Sequence, residues 1–324
     1  MTLPETLKVL SNQTAQQLYD EFIEGLIRLS QQQITPDIEK LLYRYLNMSN
    51  SSKFQQIDRL KSWLDSFRPL SPIIVAELKK LYDVQFTYNS NAIEGNTLTQ
   101  SETELVLSTG ITIGGKTLQE HLEVIGHKDA IDYIETLAQQ DSPIGEWEIK
   151  QIHNLIIRAI SPEEAGKYRQ LDVKAAGTNY LYPAHYLLPQ LMTEFIDWLN
   201  SEQAQTLHPI EYATNAHFRF VSIHPFRDGN GRTARLLMNL LLLRGGYPIV
   251  IISNSVRNDY INAVAYGQQN QDDINQLLTL ILDATKSSLI ETLRLLATAA
   301  DSRGKGMPFY EEMITFLTRI SRTF

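Results

Sequence analysis

The sequence predicts a mainly α protein, arranged as a helical bundle around one central buried helix and carrying a short β-hairpin. The central helix is predicted from the apolar run at residues 236–243, which ends at Gly245 and Gly246 as helices often do. Elsewhere apolar residues recur three and four positions apart, which is the period of one helix face. The chain also lacks the repeated β-branched runs of a buried parallel sheet.

Composition and charge exclude several classes of protein. With 29 basic and 37 acidic residues the net charge is −8, which argues against a protein that coats nucleic acid. The chain has no cysteine, and this excludes disulfides, thiolate metal sites and cysteine nucleophiles. The N-terminus does not resemble a secretory leader, and no run of about 18 uncharged apolar residues follows, so we expect a cytoplasmic protein without membrane contact.

The first 70 residues are polar and rich in glutamine. Their apolar positions, such as Leu18, Phe22 and Leu26, have helical spacing, and we expect an amphipathic helical extension without a catalytic role. Pro72 is well placed as the first residue of the next helix, because a helix leaves the N–H of its first residue unpaired in any case.

Two capping boxes predict helix starts further along the chain. In each, a threonine is followed three residues later by a glutamate: Thr99 with Glu102, and Thr117 with Glu120. Further helices are expected over residues 147–160, 187–199 and 209–220. In the first of these, His153 lies on the interior face and is expected to be a core histidine bonded to a neighbour.

Residues 110–117 fit the P-loop pattern G-x-x-x-x-G-K-(S/T), and residues 277–283 resemble a Walker B strand. A P-loop follows directly on a buried strand, yet the segment before Gly110 carries Glu102 and Glu104 and is predicted to be helical. The second segment also continues with helical spacing. A P-loop NTPase is therefore only an alternative, and the glycines of this segment are more simply explained as a helix stop and a turn.

The stretch from residue 224 to residue 235 combines a glycine-rich turn with the start of the central helix. Gly229 and Gly231 flank Asn230 and let successive N–H groups point into one concavity, while the helix adds unpaired N–H groups and a positive dipole end. Arg232 and Arg235 lie three residues apart and therefore share a helix face. An anion is the natural ligand of such a turn.

The same stretch contains two titratable side chains. Asp228 would repel a phosphate, but a divalent cation resolves this conflict, because Mg²⁺ is typically held by one carboxylate together with phosphate oxygens. His224 has an unperturbed pKa near ~6.5 and is suited to accept a proton at neutral pH. Together these residues predict a site for phosphoryl or nucleotidyl transfer.

The stretch matches the pattern H-x-F-x-(D/E)-G-N-G-R-x-x-R at every specified position, and in this it resembles the signature of the Fic family (filamentation induced by cAMP). The resemblance implies a Fic-fold bundle and the transfer of AMP from ATP to a hydroxyl of a target protein. The roles that it implies are proton abstraction by His224, Mg²⁺ binding by Asp228, phosphate binding by Gly229, Asn230, Gly231 and Arg232, and γ-phosphate binding by Arg235. A helix N-terminus with a capping loop and surface arginines is the structural alternative.

A second and less specific pattern lies upstream. Ser90, Glu94 and Gly95 fit (S/T)-x-x-x-E-(G/N), which resembles the inhibitory motif of Fic proteins. The resemblance implies that Glu94 and the γ-phosphate compete for Arg235, so that the carboxylate pairs with the arginine and repels the nucleotide. A helix C-terminus closed by Gly95 explains the same residues without such a role.

Residues 172–184 are the one segment with hairpin character. Its place before the signature is similar to that of the flap of Fic proteins, whose edge holds the target segment by backbone pairing. The resemblance implies target docking by Lys174, Ala175, Ala176 and Gly177. A simple surface hairpin is the alternative. By its offset, Tyr260 resembles the aromatic residue on the adenine side of the site, and a core tyrosine fits equally well.

Residues and resemblance together predict an autoinhibited protein adenylyltransferase that uses ATP and Mg²⁺ and modifies Ser, Thr or Tyr hydroxyls of a target protein or of itself. Because Glu94 could also position a water, removal of AMP from a modified target is a further expectation. A nucleotide-binding regulatory module without catalysis is a second alternative. A homodimer is compatible with the sequence, and no nucleic-acid partner is expected. The expected segments are an N-terminal helical extension (1–70), an inhibitory-helix region (71–115), a Fic catalytic core (116–286) and a C-terminal helical extension (287–324).

Overall fold

A computed structural model describes residues 5–31, 37–48, 51–174 and 180–321, and its regular structure is helical, as the sequence predicts. In chain order the α-helices are α1 Glu5–Gln31, α2 Ile38–Asn47, α3 Lys53–Ser66, α4 Pro72–Ile93, α5 Gln100–Thr109, α6 Leu118–Ala138, α7 Glu146–Ile157, α8 Leu188–Leu199, α9 Glu202–Gln205, α10 Pro209–Ile223, α11 Asn230–Arg244, α12 Arg257–Gln269, α13 Asn275–Thr298 and α14 Met307–Ser321. None of the helices in these ranges is long and apolar enough to cross a bilayer.

The expected hairpin is represented by a single β-bridge. Lys174 and Leu181 pair in antiparallel fashion, and this is the one strand-like pairing in the described part of the chain. Residues 175–179 lie outside the described residues, so Ala175, Ala176 and Gly177 cannot be placed. Within the described residues the hairpin is thus represented by this bridge alone.

The chain divides into two compact units, residues 1–80 with 285–324, and residues 81–284. This division differs from the four segments expected from the sequence, because the N-terminal and C-terminal extensions belong to one unit. Residues 81–115, expected as a separate inhibitory-helix region, belong to the second unit. The two unit boundaries fall inside the helices α4 and α13.

The first unit has an aromatic core of its own. Helix α14 packs against α1 and α3. At this contact Phe22, Trp63 and Phe67 each lie within 5.7 Å of Phe309, measured between ring centroids. These four side chains are buried, which accounts for the regular spacing of apolar residues in the extensions.

The second unit is organised around α11, as the apolar run of this helix predicts. Almost every side chain from Asn230 to Leu242 is buried, and the helix packs against α10, α6 and α7. It stops at Gly245, and Gly246 follows with a φ of 76°. A helix that is largely apolar on all sides is stable only when neighbours cover it, and these three helices supply much of that cover.

Both capping boxes are present at the predicted helix starts. The Thr99 side chain accepts from the N–H of Glu102, and the Glu102 carboxylate accepts from the N–H of Thr99, at the N-terminus of α5. Thr117 and Glu120 form the same arrangement at the start of α6. Helix α5 ends at Gly110, which adopts the left-handed conformation with a φ of 70°.

The same geometry contradicts a P-loop at residues 110–117. The segment directly before it is the helix α5 and not a strand, and residues 277–283 lie in α13. The lysine of the pattern, Lys116, donates from Nζ to the backbone oxygen of Thr97 at 2.5 Å and lies 3.7 Å from a Glu102 carboxylate oxygen. It therefore serves a local structural role.

Candidate active site

The loop between α10 and α11 is shaped by its own residues. His224 ends α10 with φ 52° and ψ 59°, and Gly229 precedes α11 with a φ of 76°, so both bracket the loop in the left-handed region. The Asn230 side chain accepts from the N–H of Phe226 at 2.9 Å and donates to the oxygen of Phe226 at 2.8 Å. These two bonds hold the loop, and the phosphate contact expected of Asn230 stays a prediction.

His153 on α7 supports this loop from behind. The N–H of Gly166 donates to Nδ1 at 2.9 Å, so Nε2 carries the proton and donates to the backbone oxygen of Asp228 at 3.0 Å. The imidazole also stacks on Phe226 at 3.6 Å between ring centroids. Burial lowers the pKa of His153 to about 4, so the ring is neutral at pH 7. It is the satisfied core histidine that the sequence predicts, and it also positions the loop.

The first turn of α11 offers donors to an anion. The first backbone bond of this helix runs from the N–H of Thr233 to the oxygen of Gly229, so the amides of Asn230, Gly231 and Arg232 precede it without an intrahelical acceptor. The Arg232 side chain is buried, and two of its nitrogens, Nε and Nη1, have no hydrogen-bond partner, although Nη1 lies 3.8 Å from a Glu123 carboxylate oxygen. A buried cation with spare donors beside a helix N-terminus favours a bound anion.

Asp228 lies at the mouth of this turn with its side chain 72 % exposed. One carboxylate oxygen accepts from the N–H of Gly229 at 2.6 Å, and the other lies 3.3 Å from Nη2 of Arg232. The described residues contain no cluster of three or more acidic or histidine side chains that could hold a metal ion alone. One exposed carboxylate beside an anion site fits a Mg²⁺ ion that takes its other ligands from phosphate and water.

Arg235 is buried and bonded on all sides. Its Nε donates to Ser90 Oγ at 3.0 Å, and its Nη2 donates to the Ser90 backbone oxygen at 2.8 Å and to Glu94 Oε1 at 2.7 Å. Its Nη1 donates to the Tyr260 hydroxyl at 3.4 Å. Burial opposes its charge, but the Glu94 carboxylate and the Tyr260 hydroxyl raise the pKa of Arg235 above its usual value.

Glu94, in the turn after α4, places its carboxylate on the first turn of α11. A Cβ atom added to Gly231 would lie only 2.4 Å from Glu94 Oε1. The carboxylate thus occupies the space in front of the helix amides while it pairs with Arg235. The structure brings Ser90, Glu94 and Arg235 together, and the inhibitory role of Glu94 stays a prediction.

His224 faces the same space. Its imidazole stacks on Tyr182, with 4.0 Å between ring centroids. Burial lowers the pKa of His224 to about 4, well below the unperturbed value assumed from the sequence. His224, Glu94, Gly231 and Arg235 line one cavity of about 190 Å³. A neutral imidazole in a cavity that also holds anion-binding groups can accept a proton at neutral pH.

Tyr260 also lines this cavity, but its hydroxyl faces the interior. The hydroxyl is bonded to Nε2 of His217 at 2.8 Å and receives the bond from Arg235. Tyr260 is therefore a buried tyrosine that braces Arg235, and contact with adenine stays a prediction for its ring. The other walls of the cavity are mostly apolar and include Ile93, Val221, Ile261, Val264 and Ala265.

Two residues near His224 have no motif in the sequence to identify them. Tyr182 stacks on the imidazole, and Arg169 donates from Nε to the His224 backbone oxygen at 2.9 Å. Both lie in the loop region between α7 and α8, where helical spacing gives no information. Of the expected docking residues only Lys174 lies in the described part of the chain, and it pairs with Leu181.

Comparison with known proteins assigns this arrangement to a family. Residues 143–242 match the profile described as Fic/DOC family. Among curated proteins, "Protein adenylyltransferase Fic" of Culex quinquefasciatus is 36 % identical over 82 % of this chain and 52 % of its own length. The protein of the same name from Drosophila yakuba is 36 % identical over 81 % of this chain and 50 % of its own length. The chain thus spans about half the length of these curated relatives.

Solved structures give the same result. A Fic domain containing signaling protein from Bacteroides thetaiotaomicron is 33 % identical, with a TM-score of 0.65 over 74 % of this chain and 95 % of that one. Fic-1 (residues 134–508) from C. elegans is 30 % identical, with a TM-score of 0.68 over 74 % of this chain and 71 % of that one.

Proposed function

This chain belongs to the Fic/DOC family, and on that basis we propose that it is an autoinhibited protein adenylyltransferase. Its substrate is Mg-ATP, and the acceptor is a Ser, Thr or Tyr hydroxyl of a target protein or of the chain itself. The observation that carries this proposal is the single cavity lined by His224, Gly231 and Arg235. It places a neutral base beside a helix N-terminus and a buried arginine, which are the groups that nucleotidyl transfer requires.

The reaction assigns a step to each group. His224, neutral at pH 7, accepts the proton of the target hydroxyl. The hydroxyl oxygen forms a bond to the α-phosphorus, the bond between this phosphorus and the bridging oxygen to the β-phosphate breaks, and pyrophosphate leaves. The amides at Gly231 and Arg232, with the Arg232 and Arg235 side chains, hold the negative charge of the triphosphate. Asp228 would hold Mg²⁺, which neutralises phosphate charge when bound.

Autoinhibition follows from the position of Glu94. Its carboxylate takes one donor of Arg235 and lies against Gly231, so a phosphate entering there meets a negative charge and loses a cation. A blocking energy of about 3 kcal/mol is enough to keep such a two-state site 99 % closed. Displacement of Glu94 is therefore the step that activates the enzyme.

The same pair of groups supports a second activity on the same site. Glu94 and His224 line one cavity, so a carboxylate and a base both reach a water molecule there. In this reaction water would attack the phosphorus of a modified side chain and release AMP. Incubation of an AMP-modified target with the parent protein tests this, and a target that keeps its AMP would contradict it.

The primary test uses ATP labelled at two positions. With a Glu94→Gly variant, label from α-labelled ATP should appear on protein, and label from γ-labelled ATP should not. Adding His224→Ala to this variant should abolish transfer while ATP binding, measured by calorimetry, remains. Tight ATP binding by Glu94→Gly without any covalent product would instead identify a regulatory nucleotide-binding module.

A further inference from the structure

Arg169 is a buried cation that contacts three separate backbone carbonyls. Its side chain is 1 % exposed. Its Nε donates to the oxygen of His224 at 2.9 Å, Nη1 to the oxygen of Leu171 at 3.0 Å, and Nη2 to the oxygen of Pro183 at 2.6 Å. Its own N–H donates to the oxygen of Pro225 at 2.9 Å.

These partners are carbonyl dipoles rather than a close carboxylate. The acidic side chain paired with Arg169 is Asp172, whose Oδ1 lies 3.9 Å from Nη1 and accepts from the N–H of His185 at 2.8 Å. Burial lowers the pKa of Arg169, although arginine remains charged at neutral pH. A buried charge held mainly by carbonyls is costly, so its place in the fold calls for a functional reason.

The three carbonyls belong to two parts of the site. Leu171 and Pro183 lie on either side of the bridge between Lys174 and Leu181, so Arg169 ties both arms of this segment at its base. The third carbonyl belongs to His224 itself. A single planar guanidinium therefore fixes the distance between the bridged segment and the backbone of His224.

His224 needs such support because of its conformation. With φ 52° and ψ 59° it is in the left-handed region, which a residue with a Cβ rarely adopts unless its surroundings hold it there. Two contacts hold it on the side of the bridged segment: the bond from Arg169 to its oxygen, and the ring of Tyr182 stacked on its imidazole. Both contacts would loosen if the end of the bridged segment at Leu171 and Pro183 moved.

We propose that Arg169 is a positioning residue for adenylyl transfer, which holds the imidazole of His224 in fixed register with the two described arms of the bridged segment, residues 171–174 and 180–183. This inference rests on the proposed function, in which His224 takes the proton of the target hydroxyl. Arg169 does not line the nucleotide cavity, so its effect is confined to the hydroxyl side of the reaction.

Loss of this positioning should lower kcat and leave the Kd for ATP unchanged. A lysine at this position carries the same charge but cannot reproduce the planar fork that reaches three carbonyls. We expect Arg169→Lys, made in the Glu94→Gly background, to lower kcat for label transfer about a hundredfold, as a displacement of about 1 Å does. Its Kd for ATP should remain that of the background protein.

Chemical rescue distinguishes positioning from a general loss of structure. Arg169→Ala in the same background should regain transfer when guanidinium is added well below its denaturing concentration, whereas the background protein should gain nothing. The matched control is Arg158→Lys, because Arg158 is half-exposed and pairs with Asp129 on the surface. It should leave kcat unchanged. An unchanged kcat in Arg169→Lys, or a parallel loss of ATP binding without rescue, would overturn the proposal.

A measurement without turnover keeps the two proposals distinguishable. The ring current of Tyr182 shifts the imidazole resonances of His224, and these should move in Arg169→Lys but not in Arg158→Lys. If Glu94→Gly has no transferase activity but these resonances move as expected, the proposed function is wrong and the positioning role stands. If the resonances do not move, the positioning role is wrong whatever the activity.

Discussion

Replacement of Glu94 is the perturbation whose size follows most directly from the geometry. Glu94→Gly removes the carboxylate that lies 2.7 Å from Nη2 of Arg235. The Glu94 side chain is 38 % exposed, so solvent screens its charge only in part. The interaction energy of this ion pair should therefore exceed the ~0–1 kcal/mol of a fully exposed surface pair. The Arg235 side chain is 1 % exposed, and a hydrogen bond to a buried charge contributes about 1.5–3 kcal/mol.

A loss of about 1.4 kcal/mol of blocking energy corresponds to a tenfold rate increase, so auto-modification should rise about tenfold or more. The assay is initial-rate transfer from α-labelled ATP, together with calorimetric titration of Mg-ATP. Glu94→Gln keeps the size of the side chain and loses its charge, so we expect an intermediate rate. Glu77→Gln, an exposed position earlier on α4, should change nothing. If Glu94→Gly were no faster than the parent and bound ATP no more tightly, the competition for Arg235 would be disproved.

Two further predictions concern the residues that hold the loop between α10 and α11. Asn230→Ala leaves the N–H and oxygen of the buried Phe226 without partners and should cost about 2 kcal/mol or more of stability. Asn239→Ala is its matched control, because Asn239 makes the same two bonds to Val250 elsewhere on α11. The free energy of unfolding, measured with denaturant, should fall in both variants. The rate of AMP transfer per folded molecule should fall only in Asn230→Ala. His153 has a folded pKa of about 4 against ~6.5 when unfolded, so the unfolded state binds more protons between these values. Stability should therefore fall as the pH drops from ~6.5 to about 4, less steeply in His153→Gln, and an equal slope would contradict this assignment.

The parts of the molecule that obey local rules were predictable from the sequence. The capping boxes at Thr99 and Thr117 and the stop at Gly245 depend on neighbours within a few residues, and each is found where the sequence places it. The central position of α11 followed from composition, because a helix apolar on every side has to be covered. The P-loop pattern at residues 110–117 is wrong because an eight-residue match takes no account of the helix that precedes Gly110.

The parts that depend on distant backbone were not predictable in this way. Arg169 reaches the carbonyl of a residue 55 positions away, and any arginine in a loop has the same appearance in the sequence. His224 was given its ordinary pKa, since burial by Tyr182 and its neighbours is decided only by the fold.

The burial of Arg235 links regulation to stability. A guanidinium cannot lose its proton to escape burial, so an anionic partner stabilises a buried one, and in the proposed mechanism Glu94 and a bound phosphate take this role at Arg235 in turn. Without nucleotide, Glu94→Gly leaves Arg235 with the neutral oxygens of Ser90 and Tyr260 alone, and its unfolding temperature should fall below that of the parent. Mg-ATP at a hundredfold excess over Kd should then return about 2.7 kcal/mol to the variant. At the same Mg-ATP concentration the parent should gain less, because in the proposed mechanism its nucleotide must first displace Glu94 and its Kd is therefore higher. Thermal unfolding of both proteins with and without Mg-ATP measures this, and equal gains would mean that carboxylate and phosphate do not share the arginine.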